Sequence, residues 1–189
     1  MATILSAFHK FSDEAAIIGR LLGGYTELEL SMMNCVQVVR DDFDTSLKVL
    51  FRTRGETQRI DITDALGRHY YKIQKLETEF SMAVGAVRHC LKIRNQFSHC
   101  IWWDSNTGKL AFANMEEIAE RNDYVIDLKH LTTMYVDVAL LELQETYFVY
   151  ANDLLTWVNF EGRRRAGKIS NYNGTKPKPI KQPPLRLPL

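Results

Sequence analysis

Residues 78–100, TEFSMAVGAVRHCLKIRNQFSHC, decide how this chain is read. At about 100° per residue, Phe80, Val84, Val87 and Leu91 line one side of a helix, and Ala83, Ala86, Cys90, Ile93 and Phe97 fill the adjoining arc. Arg94 falls in the middle of that apolar sector. Asn95, Ser98 and His99 fan out along its edge. A permanent charge on a core-facing or interface-facing stripe is costly unless something pairs with it, so Arg94 is expected to have a partner, a task, or both.

The same 3.6-residue period continues outward from this segment. All five prolines lie between Pro177 and Pro188, and long proline-free stretches with apolar residues three and four apart predict helices. A first helix is expected from Ser12 or Asp13 to about Val39, with Ala15, Ile18, Leu22, Tyr25, Met32, Val36 and Val39 facing inward. Gly23-Gly24 suggests a kink or a close helix crossing within it. Phe43–Arg52 and Glu56–Tyr71 are the next two segments, the second with a kink at Gly67. After the Arg94 helix, Trp102–Phe112 reads as a β-hairpin, since turn residues separate two apolar arms. Met115–Arg121 forms one or two turns, and a last helix runs from Leu128 or His130 to Phe160. The fold class is therefore all-α, with residues 1–162 as one helical domain. Residues 163–189 form a basic, proline-rich tail without acidic residues, extended or disordered when alone.

Glu29 lies within the inward arc of the first helix. It is the natural countercharge for Arg94, and the two are expected to meet. A buried ion pair with a purely structural role is one outcome of that expectation.

Composition narrows the function classes. The 189 residues are 46% hydrophobic and carry a net charge of +1, so contact with nucleic acid would rest on a local patch such as Arg88, Lys92 and the Arg163-Arg164-Arg165 run. No cleavable leader or membrane span is apparent, and a cytoplasmic protein without membrane partners is the expectation. Cys35, Cys90 and Cys100 sit in helical apolar patterns, which fits reduced thiols. His89-Cys90 and His99-Cys100 are ten residues apart and point about 80° away from each other on one helix. That is poor geometry for tetrahedral zinc, so neither a metal nor a cofactor is expected.

Arg94-Asn95-x-x-x-His99 near the end of a core helix resembles the motif of the HEPN superfamily, an arginine followed after four to six residues by a histidine. Cys90-Leu91-Lys92-Ile93 before it and the tryptophans after it resemble the family's surroundings. So does a first helix carrying Leu21, Tyr25, Leu28 and Glu29. The resemblance spans about residues 12–160. It implies an up-and-down helical bundle, with the hairpin inserted after the motif helix. It also implies a metal-independent endoribonuclease acting as a homodimer, a toxin or defence effector, with RNA or a nucleotide as ligand and an antitoxin or another regulatory protein as further partner.

In that reading Arg94 stabilises the charge that grows on the phosphorus centre. His99 moves protons, Asn95 orients His99 or a phosphate oxygen, and Glu29 and Ser98 support them. Ile101 stands where some toxins of the family carry a modifiable tyrosine, so regulation by that route is not expected. Two other readings are a non-catalytic HEPN-like dimer that binds nucleotides or proteins, and a plain helical protein in which Arg94–Glu29 is a core ion pair.

Overall fold

The computed structural model describes residues 5–121, 124 and 131–187. The elements in chain order are α1 (Ala7–Lys10), α2 (Ser12–Arg40), α3 (Phe43–Phe51), α4 (Glu56–Ile73), α5 (Glu77–Phe97), β1 (Cys100–Asp104), β2 (Leu110–Asn114), α6 (Met115–Ala119), β3 (Met134–Val136) and α7 (Val138–Arg165). The chain is mainly helical, with one small antiparallel sheet ordered β1-β2-β3.

Local chemistry accounts for the helix starts. Asp13 and Glu14 occupy the first turn of α2 and Glu77 and Glu79 that of α5, where negative charge meets the positive end of the helix dipole. Asp42 caps α3 by accepting a hydrogen bond from the Thr45 amide at 3.1 Å. Asp137 does the same for α7, taking the Leu140 amide at 2.9 Å.

Two compact units are formed. The first is drawn from residues up to Gly23, Lys92–Thr146 and Pro183 onward. Its sheet pairs Trp102 with Phe112 and Cys100 with Asn114 across β1 and β2, and Phe112 with Met134 across β2 and β3. All five residues of β2 are buried, as expected of a central strand. An aromatic cluster joins sheet and helices: the Trp102 ring centroid lies 5.1 Å from that of Phe112, 5.3 Å from Phe8 and 5.9 Å from Phe97.

The second unit comprises Gly24–Leu91 and Tyr147–Gln182. Met33 and Val36 of α2 pack there with Leu50 of α3, and Ile62 and Leu66 of α4 join them. Tyr71 stacks on Phe80 at 4.4 Å and donates a hydrogen bond to the Cys35 carbonyl.

Several expectations are corrected. The last helix begins at Val138, and the apolar run before it contributes β3. Met134 and Val136 are buried with the half-buried Tyr135 between them, a two-residue period that Asp137 ends by capping α7. The alternative starts Leu128 and His130 lie outside the described residues. Helix α2 runs unbroken through Gly23-Gly24, and a Cβ on either glycine would meet nothing within 4 Å, so neither marks a close crossing. The close approach is at Gly67, where a Cβ would overlap the Phe80 ring.

The tail is extended and tied down. Helix α7 carries on to Arg165, past the expected boundary at 162. Lys168 then donates to the Val38 carbonyl at 3.1 Å, and the Trp157 indole donates to the Gly174 carbonyl at 3.2 Å. Pro184 and Leu185 belong to the first unit, where the buried Gln144 side chain donates to both of their carbonyls at 2.9 Å.

The glycines make a paired prediction. Gly67→Ala forces Phe80 aside and is expected to lower unfolding stability by about 1–3 kcal/mol in urea denaturation. Gly23→Ala, in open space on a helix, is expected to raise it by roughly 0.5–1 kcal/mol. Equal effects from the two would contradict the packing described.

Candidate functional site

The motif residues cluster where α5 ends and β1 begins. Helix α5 stops at Phe97, so Ser98 and His99 are not on the helical fan that the periodicity predicts. His99 adopts a left-handed backbone with φ of 55°, the conformation that closes many helices and is most often filled by glycine. This turns its imidazole into solvent, with the side chain 67% exposed. Its Nε2 lies 3.4 Å from Oε1 of Glu116 on α6. Arg94 is half-buried, and its Nη1 donates to Asn95 Oδ1 at 3.0 Å. The amide oxygen of Asn95 thus serves Arg94, whereas the carboxylate facing His99 comes from Glu116. Ser98 Oγ donates to the Arg94 carbonyl at 3.3 Å.

What holds this turn is Asn114, a residue the motif did not suggest. It is only 5% exposed. Its Nδ2 lies 3.0 Å from the Asn95 carbonyl, 3.2 Å from that of Gln96 and 3.1 Å from that of Ser98. These are carbonyls at the end of α5 that the helix itself leaves unsatisfied. Its Oδ1 accepts the amides of Glu116 and Glu117 at 2.9 and 3.0 Å, capping α6. One buried side chain therefore fixes both the turn that carries His99 and the helix that carries Glu116. Asn114 before Met115-Glu116-Glu117 is itself a readable N-cap signal.

The remaining candidates, Lys92 excepted, belong to the second unit. Glu29 Oε1 accepts from Arg59 Nη1 at 2.5 Å, within the second unit. The helical period aims Glu29 inward correctly, and α4 supplies a cation for it that the period did not suggest. Arg88 belongs to the same unit and faces Asp61 at 2.8 Å and Asp64 at 4.0 Å.

The arginine run also ties that unit together. Arg163 donates to Asn159 at 2.9 Å. Arg164 and Arg165 both reach Glu161 at 2.7 Å, and Arg165 also donates to the carbonyls of Gln74 and Lys75 at 2.9 Å. These cations already hold acceptors, which a phosphate would have to displace. Only Lys92, exposed on α5, shares the first unit with Arg94, Asn95, Ser98 and His99.

Cys90 is buried and its thiol is pushed up by desolvation, far from the thiolate form. Burial likewise pushes the Cys100 thiol up to about 12. Among the described residues no group of histidine, cysteine and carboxylate side chains is placed to hold a metal ion, and no helix is long and apolar enough to cross a membrane. No family model, no curated protein and no solved structure matches this chain.

Two predictions follow from these contacts. Asn114→Asp keeps the acceptor for α6 but sets an oxygen against three carbonyls, and it is expected to cost about 2 kcal/mol or more in chemical denaturation. Asn114→Ala loses both functions and should cost at least as much.

Hydrogen bonds from Arg164, opposed by burial and reinforced by Arg165, hold the Glu161 carboxyl near pKa 2, against an ordinary value of 4.5. A depressed folded-state value means that the stabilisation is complete above about pH 5 and fades as pH falls through 4.5 toward 2. Glu161→Gln is therefore expected to be less stable than wild type at neutral pH and to converge with it near pH 2 in acid titrations followed by circular dichroism.

Proposed function

We propose that the chain is a metal-independent endoribonuclease of HEPN type that works as a homodimer. The observation that supports this reading best is the placement of His99. Its imidazole stands free in solvent on a buttressed turn, faces a carboxylate, and follows Arg94 by little more than one helical turn. Histidine titrates near neutrality and can both take and give a proton.

In RNA cleavage of this kind the 2′-oxygen attacks phosphorus while its proton passes to one imidazole. The 5′-oxygen departs with a proton from an imidazolium, and a 2′,3′-cyclic phosphate remains. Each chain contributes one His99, so a two-fold dimer supplies both proton carriers. Arg94 binds the phosphoryl oxygens as charge accumulates, with Asn95 holding the guanidinium's orientation. Glu116 is a positioning residue whose carboxylate fixes the ring. The engagement of Arg88, Arg164 and Arg165 with carboxylates favours a second reading, in which the Arg94–His99 face binds a nucleotide without cleaving it.

Single-stranded RNA in EDTA separates the two. The ribonuclease reading predicts products ending in 2′,3′-cyclic phosphate. Their formation is expected to fall by at least about a hundredfold in His99→Gly, given the usual worth of acid–base catalysis. Glycine suits the left-handed backbone at this position, so the variant should stay within about 1 kcal/mol of wild-type stability. Cleavage that survives His99→Gly would refute the assignment. Intact RNA with wild type, together with nucleotide binding that Arg94→Ala abolishes, would establish the second reading.

A further inference from the structure

Helix α3 is apolar on two faces. Ser46 and Leu50 point inward, each 1% exposed, and Leu50 packs on Met33 and Val36. Bordering this buried line, Phe43, Leu47 and Phe51 repeat at four-residue spacing, which makes a stripe about 80° wide, with the Arg59 guanidinium 5.6 Å from the Phe51 ring. Phe43 is 51% exposed and the other two are 37% exposed. Three large apolar side chains in one exposed row on a helix of nine residues exceed the scatter of single surface hydrophobics.

The charges around the stripe say what covers it. Asp41, Asp42 and Asp44 gather at the N-terminal end of α3, and Lys48, Arg52 and Arg54 toward the C-terminal end, all exposed. The row is also symmetric about Leu47. Phe43 lies four residues before it and Phe51 four after, while Asp42 lies five before and Arg52 five after. A second α3 laid antiparallel across a two-fold axis at Leu47 therefore sets Phe43 against the partner's Phe51, whereas Asp42 and Arg52 lie about 140° round the helix from Leu47 and face away from the pairing. Asp44 and Lys48, paired with each other at 2.6 Å within the helix, flank the stripe on one side. With a rise of about 1.5 Å per residue, each comes within roughly 3 Å, along the axis, of the partner's opposite charge. The two helix dipoles run head to tail. Every contact formed once is formed twice, so the interface closes on itself.

The geometry points to α3 as a self-complementary docking surface whose occupant is a second copy of this chain. The face is small, so the association is concentration-dependent rather than obligate. It belongs to the second unit, which does not contain the Arg94–His99 turn, and does not rest on the ribonuclease reading.

Sedimentation of the full chain over a concentration series, from about 1 to 100 μM, tests it. Wild type is expected to reach twice the subunit number of Leu47→Glu, and of Phe43→Ser as a second disruption, with unchanged helical circular dichroism. Lys48→Glu and Asp44→Lys should each weaken association by about tenfold, because each sets like charges face to face. The swapped pair Asp44→Lys with Lys48→Glu should restore it. If Leu47→Glu and Phe43→Ser associate as wild type does, or the swapped pair is no better than either single change, the proposal is overturned. Loss of RNA cleavage with this association intact would count against the ribonuclease reading alone.

Discussion

The side-chain amide of Asn114 is the constraint on which the motif region depends. A helix that ends inside a protein leaves carbonyls without partners, and the next helix begins with amides in the same need. Asn114 meets both from one buried position, giving its Nδ2 to the end of α5 and its Oδ1 to the start of α6. His99 takes the left-handed conformation, Cys100 enters β1 opposite Asn114, and the Met115 amide bonds back to the His99 carbonyl at 3.1 Å. The stacked Phe97, Trp102 and Phe112 rings back the same turn.

This makes the histidine's exposure a product of rigidity rather than of looseness. An imidazole on a frayed helix end would sample many directions and spend little time near any one reactive geometry. Here both the backbone beneath it and the carboxylate beside it are placed by one residue. Four arginines of the second unit show the opposite use of charge. Arg59, Arg88, Arg164 and Arg165 are spent on internal ties to Glu29, Asp61 and Glu161. The near-neutral net charge reflects this local matching of opposite signs.

Much of the architecture was legible because helices announce themselves by period. Without prolines before residue 177, the three- and four-residue spacing located α2, α3, α4 and α5 to within a few residues. Turn residues between Trp103 and Leu110 located the hairpin. Strand β3 was hidden because three residues satisfy either period, and Met134 fits the row of apolar positions that continues into α7. Periodicity reports the direction in which a side chain points, not what it meets. Glu29 was aimed inward correctly, but its pairing with Arg59 on α4 was not foreseen. His99 was misplaced by the lack of a glycine to mark the helix end. The signal for the true end lay fifteen residues later, in the cap formed by Asn114.

The docking of Pro184 and Leu185 on Gln144 has a consequence for how the protein comes into being. Gln144 is completely buried, and its amide would lose both acceptors if those carbonyls were absent. A chain emerging from the ribosome at roughly 5–20 residues per second has made its motif helix, its sheet and all of α7 before these residues appear. The first unit must wait for them, whereas the second has all its residues by Gln182. Maturation of the histidine-bearing unit is therefore tied to the arrival of Pro184 and Leu185, and chains interrupted before residue 185 carry a buried polar defect.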